Sequence, residues 1–306
     1  MTGGLAAIGD TPLVQLGHVV PDGAAEVWVK LEGANPTASH KDRMAVSVLT
    51  AALERGDVSP GDTVVEYTGG STGTSLAFVA GVLGLRFTAV FSDAFSDSKR
   101  QAMEAFGARV LVEPSHGGGI TPALKDRMEA RARALADEPG AYYADQFGSP
   151  DVPRGYRPIG EEIAAQLGGA PDAFCMAVGT GGTLMGALAG FRASGADPAV
   201  VAVEPAESPL LTTGVSGSHH VEGIAVTLHP PFLDRSVLRE VRAIEQERGF
   251  EMCRTLARTE GVFGGGSTGL NVCAAIDVAV ELGPGHRVVT IACDSGLKYL
   301  GGPIYS

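Results

Sequence analysis

Short apolar runs rich in β-branched residues alternate along the chain with longer stretches in which apolar residues recur at helical spacing. EVWVKLE (26–32), DTVVEY (62–67), RFTAVF (86–91), ARVLVE (108–113), AYYAD (141–145), DAFCMAV (172–178), AVVAVE (199–204) and RVVTIAC (287–293) predict strands. Helical patterns fill most of the gaps, at 42–56, 75–84, 96–107, 123–137, 160–167, 250–261 and 269–283. Strands that are apolar almost throughout and alternate with helices predict parallel sheets covered on both faces, an α/β fold. Proline and glycine in QFGSPDVPRGYRP break the alternation and mark an expected lobe boundary near 145–160. The stretch 206–235, with SGSHH and LHPPF, reads as a long loop or flap, and His219 and His220 as its solvated part rather than a metal site. Trp28, beside the strand leading to Lys30, reads as core.

The 306 residues are enough for two lobes, each with its own core. A net charge of -12 argues against a general nucleic-acid binder, which would carry a basic face. It also means that an anionic ligand needs a local site of backbone N–H groups, because the overall field repels it. The four cysteines are far apart, with no CxxC pair and no histidine at ligand spacing, so buried free thiols are expected and no metal site. Such thiols suit a reducing cytosol. The N-terminus has neither the basic start nor the apolar stretch of a signal peptide, and no run approaches the roughly 20 apolar residues of a membrane span. A cytoplasmic protein without membrane contact is expected.

Chemistry is concentrated in four segments. VGTGGTLMG (178–186) follows a buried strand and opens a helix, so Gly179, Thr180, Gly181, Gly182 and Thr183 place N–H groups at a helix N-terminus, which suits a phosphate monoester. It is neither a Walker A motif nor a dinucleotide fingerprint, and a purely structural strand-to-helix turn is the alternative. YTGGSTGTS (67–75) repeats the arrangement with Thr68, Gly69, Ser71 and Thr72, a fit for a carboxylate, although many strand-to-helix turns look alike. In NPTASHKDR (35–43), Lys41 stands where a loop hands over to a helix, a poor place for a cation that merely solvates the surface. An exposed lysine paired to Asp42 is the bland alternative. In ACDSGLKYL (292–300), the last core strand ends in Asp294 and Ser295, where a hydroxyl could bond a ring nitrogen or simply cap a turn.

Taken in order, IGDTPLVQL (8–16), VKLEGANPTASHKDR (29–43), TGGSTG (68–73), DQF (145–147), GTGGT (179–183), GGSTG (265–269) and DSGLKYL (294–300) resemble the fold-type II pyridoxal 5'-phosphate enzymes of the cysteine synthase and cystathionine β-synthase family. The resemblance covers nearly the whole chain. It implies a tryptophan-synthase-β-like fold of two α/β lobes: a smaller, mobile one over 42–150, and a larger one from 1–41 plus 151–306. It implies that Lys41 carries the cofactor and moves the Cα proton, that 179–183 cradle the cofactor phosphate, and that Ser295 bonds the pyridine nitrogen. Thr68, Gly69, Thr72 and Gln146 would hold the substrate carboxylate. Asp294 is the rival ring partner; adjacent side chains on a strand point oppositely, and the resemblance favours Ser295.

The chain departs from the family at several points. The family's substrate loop reads TSGNTG, so Gly69 replaces a serine and Ser71 an asparagine that bonds the cofactor 3'-oxygen; Ser71 can still donate one shorter-reaching bond. The stretch VEGIAVTLHPP differs from the family's flap, and RGYRPIGEEI lacks its Thr-Thr-Gly. The implied activity is β-replacement on an O-activated L-serine by a small nucleophile such as sulfide. Two alternatives stay open: β-elimination to pyruvate and ammonia, and a non-catalytic cofactor-binding regulatory partner. A homodimer is implied by the resemblance, with neither an appended regulatory domain nor an N-terminal haem-binding extension.

Overall fold

The computed structural model describes residues 3–117, 121–224 and 229–306. They form two compact units, one of residues 1–8 and 41–155, the other of 9–40 and 156–306. The division differs from the expected 42–150 at three edges: residues 1–8, Lys41 and 151–155 fall with the smaller unit. The first difference has a packing cause, since Leu5 is buried and Gly4 lies against the Phe78 ring, where a Cβ would come within 2.9 Å.

The chain opens in the larger unit with β1 (Leu13–Gln15) and β2 (Glu26–Leu31), an antiparallel pair. The smaller unit follows as α1 (Lys41–Arg55), β3 (Thr63–Tyr67), α2 (Ser71–Val82), β4 (Arg86–Ser92), α3 (Asp97–Ala105), β5 (Arg109–Glu113), α4 (Pro122–Ala136) and β6 (Ala141–Tyr143). Its four strands are parallel, in the order β5-β4-β3-β6. Val65, Val90, Leu124, Met128 and Ala132 form a core between the sheet and α4.

Helix α5 (Asp151–Leu167) carries the chain back to the larger unit. Then come β7 (Ala173–Ala177), α6 (Gly182–Ala193), β8 (Ala199–Pro205), the one-turn α7 (Leu210–Thr213), β9 (Leu238–Ile244), α8 (Gln246–Thr259), α9 (Gly266–Leu282) and β10 (Arg287–Ala292). The sheet order is β1-β2-β10-β7-β8-β9, parallel except for β1. Helix α9 is buried along most of its length, and its Asn271 ties two strands together, accepting the Ala177 N–H at 2.6 Å and donating to Ile291 O at 2.8 Å.

Three expectations are corrected. The proline- and glycine-bearing segment read as a break at 145–160 contains the first half of α5. Pro153 sits in the first turn, where N–H groups have no intrahelical acceptor, and Pro158 is tolerated inside the helix. The irregular 206–235 stretch holds α7, anchored by the buried Glu204 carboxylate, which accepts the Leu211 and Thr212 N–H groups; residues 225–228 of the expected flap lie outside the described residues. Trp28 is only half-buried, because the alternation of β2 gives Val27 and Val29 to the core, and its indole N–H donates to Glu26 at 2.9 Å.

Candidate active site

In the smaller unit the site residues gather at the carboxyl end of β3, where open α/β sheets bind ligands. Thr68 follows the strand, and its buried hydroxyl accepts the N–H groups of Gly70 and Gly73 at 3.1 and 3.0 Å, closing the turn from inside. Gly70, at φ +149°, is the residue before α2 and supplies no side-chain cap. The start of α2 therefore combines partial positive charge with N–H groups that no side chain of the cap residue satisfies. Thr72 donates its hydroxyl to Gln146 Oε1 at 2.8 Å, and Gln146 Nε2 donates to Tyr67 O at 3.0 Å. Thr68, Gly69, Ser71, Thr72 and Gln146 are thus brought together. Lys41 is the first residue of α1 in the same unit, half-buried.

Two features of this turn escaped sequence reasoning. A Cβ at Gly69 would sit 2.7 Å from Phe95 Cε1, and one at Gly70 would sit 2.6 Å from Lys99 Cδ. The segment between β4 and α3 therefore lays an aromatic ring over the turn, and α3 itself a lysine stem. The space that a serine at position 69 would need is taken by Phe95, which also packs on Phe91 with ring centroids 5.4 Å apart. The second feature is Glu66, a fully buried carboxyl directly beneath the turn. The signal in the sequence was one acid in an otherwise apolar strand.

In the larger unit, Gly179–Thr183 form the corresponding turn between β7 and α6. Gly181 caps the helix at φ +85° with no side-chain cap, and a Cβ there would lie 2.8 Å from Leu233 N. A Cβ at Gly179 would collide with Gly223 O. Thr180 Oγ1 accepts the Gly182 N–H at 3.3 Å, and Thr180 O accepts the Phe232 N–H at 3.1 Å. Backbone thus meets backbone on this side, leaving a glycine-only cradle at a helix N-terminus. Sequence reasoning missed that Gly223 and Leu233, more than 40 positions downstream, wall it.

The approach to Lys41 is held in the same larger unit. Buried Glu32 accepts the Thr11 hydroxyl at 2.7 Å and Asn35 Nδ2 at 2.9 Å, and Asn35 Oδ1 accepts the Gly9 N–H at 3.0 Å. Lys30, also fully buried, pairs with Glu162 at 2.7 Å. Further on, Ala38 O accepts the Ser295 N–H at 3.1 Å, and Cys293 O accepts the His40 N–H at 2.9 Å. The residues preceding Lys41 are therefore clamped to the end of β10, where Ser295 stands. Ser295 Oγ accepts the Leu297 N–H at 3.3 Å and keeps its own proton for another acceptor, whereas the Asp294 carboxylate is engaged by the Tyr299 hydroxyl at 2.6 Å. Among the described residues no cluster of histidine, cysteine and acidic side chains is arranged to hold a metal.

At two helix N-termini the cap residue is a glycine with no side chain to cap the helix, and at Gly179 and Gly181 backbone walls leave no room for a Cβ, an arrangement that suits an anion such as a phosphate monoester. Residues 5–294 match the family described as pyridoxal-phosphate dependent enzyme, and the chain belongs to that family. It is 36% identical over 301 residues to a cysteine synthase of Staphylococcus aureus, covering 98% of this chain and 95% of the relative. It is also 36% identical over 298 residues to O-ureido-L-serine synthase of Streptomyces lavendulae, covering 97% and 90%. Among solved structures, cysteine synthase of Entamoeba histolytica matches with a TM-score of 0.92 at 28% identity, covering 100% of this chain and 90% of that one. Within the pyridoxal-phosphate enzymes the chain is therefore of fold type II and of the cysteine synthase group.

Proposed function

We propose that this protein replaces the β-substituent of an O-activated L-serine with a small nucleophile, in the simplest case forming cysteine from O-acetylserine and sulfide. Two relatives are named as synthases of cysteine and of O-ureido-L-serine, amino acids that differ in what stands on Cβ. The observation in the structure that supports the reading best is the glycine-only cradle at Gly179–Thr183, whose N–H groups would hold the cofactor phosphate. The cofactor, when bound, supplies an electron sink for the bond broken at Cα.

The residues divide the work as follows. Lys41 would hold the cofactor through its side-chain amine and, once that amine is free, would take the proton from the substrate Cα. The turn N–H groups with Thr68, Gly69, Thr72 and Gln146 hold the substrate carboxylate. Ser71 donates its hydroxyl to the cofactor 3'-oxygen, directly or through a water. Ser295, whose hydroxyl accepts the Leu297 N–H and has a proton of its own to share, would bond the ring nitrogen. A neutral hydroxyl stabilises a protonated ring less than a carboxylate would, which favours prompt loss of the β-substituent. In the balance of the reaction the Cβ–O bond breaks with its electron pair leaving on oxygen, the nucleophile's sulfur bonds Cβ, and Lys41 returns the proton to Cα.

We also place the protein in the cytoplasm as a homodimer. The four buried free cysteines support a reducing compartment, and no described helix is long and apolar enough to cross a membrane. Sedimentation of the purified protein tests the dimer.

The activity is tested with a panel of β-substituted serines and sulfide. Cysteine is the expected product; pyruvate and ammonia in its place would make the protein an eliminating enzyme, and no turnover with a normally loaded cofactor would make it a regulatory partner. Lys41→Ala is expected to lower turnover by about 10³-fold or more. In parallel, borohydride reduction of the wild type should leave a stable adduct on Lys41, and an adduct on any other lysine refutes the assignment.

A further inference from the structure

Glu66 is a wholly buried carboxyl that the chemistry above leaves unused. Burying a carboxyl is unfavourable without compensating bonds. Here Oε1 accepts the Tyr67 N–H at 3.0 Å and Oε2 accepts the Gln146 N–H at 2.9 Å. One side chain therefore fixes the backbone at the end of β3 and the backbone beyond β6. The Gln146 side chain continues the line, donating to Tyr67 O and accepting the Thr72 hydroxyl.

We propose that Glu66 is the positioning residue of the carboxylate turn: by holding the Tyr67 and Gln146 N–H groups it sets where Gln146 and Thr72 meet the donor amino acid. The inference rests on the reading that this turn and Gln146 bind the substrate carboxylate. Burial, and then the nearby charge of Asp145, push Glu66 up to about 8 despite the two backbone N–H groups that pull it down. The ionisable groups around it are Asp145 after β6, Tyr143 on β6 and Tyr67 on β3 itself; Arg133 of α4 bears on both tyrosines and Glu129 on Tyr67. Helix α2 contributes no ionisable side chain, β4 has Arg86 alone, exposed at its far end, and α1 brings buried Asp42 and Arg43. Near neutrality Glu66 thus keeps its proton and adds no negative charge to that of nearby Asp145. Above pH 8 the ionised form opposes an incoming carboxylate.

The test compares Glu66→Leu, Glu66→Gln and Thr72→Val as holoenzymes, with KM for O-acetylserine and kcat measured separately on both sides of pH 8. Glu66→Leu should raise KM about tenfold with a smaller change in kcat. Glu66→Gln should recover part of that loss and abolish the rise in KM that the wild type shows through pH 8. If Thr72→Val raises KM while Glu66→Leu does not, the inference fails and the carboxylate reading stands. If neither raises it, the carboxylate reading fails as well. Should Glu66→Leu not fold, the wild type decides: the amide nitrogen resonances of Tyr67 and Gln146 should titrate with one shared midpoint, and separate midpoints or none overturn the proposal.

Discussion

The turns that open α2 and α6 have the same plan, a buried strand, a glycine-rich loop and a helix without a side-chain cap, yet they are walled differently. Around Gly179 and Gly181 the walls are backbone, from Gly223 and Leu233. Around Gly69, Gly70 and Gly73 they are side chains, from Phe95, Lys99, Met103 and Thr68. Backbone walls cannot be altered by substitution, whereas side-chain walls can. A site for a constant group, such as a coenzyme phosphate, belongs in the first kind of turn. A site for a group that comes and goes with each substrate can sit in the second.

The largest expected effect lies in the backbone-walled turn. Gly181→Ala places a Cβ at φ +85° and against Leu233, which costs about 1–3 kcal/mol from conformation alone. Cofactor affinity should fall about a hundredfold, read from an absorbance titration of the cofactor-free protein. Retained affinity would mean the turn yields as the other does. A smaller and reversible effect is expected at Gly69. Gly69→Ser should weaken binding of the donor amino acid about tenfold, and adding Phe95→Ala should return most of it, with a coupling of about 1 kcal/mol in a double-mutant cycle. Independent effects of the two changes would break the comparison.

A separate effect concerns stability under the side-chain-walled turn. With Glu66 raised from its ordinary 4.5 to about 8, the folded protein holds a proton that the unfolded chain releases. That contribution is complete below about pH 4.5, declines as pH rises, and is gone above about pH 8. Denaturant titrations should show the decline in the wild type and its loss in Glu66→Gln.

Much of this was legible before any coordinates. The eight apolar runs all become strands, most plainly the interior β4, β7, β8 and β10, which are buried at nearly every position, and also the edge strands β5 and β6. The two strands that were missed lie at sheet edges: β1 is three residues long, and β9 reads LREVRAI, with three charged residues in seven. The front of α5 was hidden by prolines whose cost depends on position in the helix. Within the site, glycine and hydroxyl motifs marked the turns. Their walls did not show, since Phe95 and Leu233 are ordinary apolar residues until the fold carries them there. Glu66 was visible as an oddity in its strand, but its two N–H partners are set by how β3 and the segment after β6 lie together.

The cysteines carry a last consequence. All four are buried, and burial pushes Cys175 far up, Cys253 up to about 12 and Cys273 up to about 11. At neutral pH the most acidic of these three is then a thiolate in roughly one molecule in ten thousand. Where a thiol product is oxidised to its disulfide, a protein thiolate that attacks that disulfide forms a mixed disulfide and releases one equivalent of the thiol. At Cys175, Cys253 and Cys273 burial leaves almost no thiolate to make that attack.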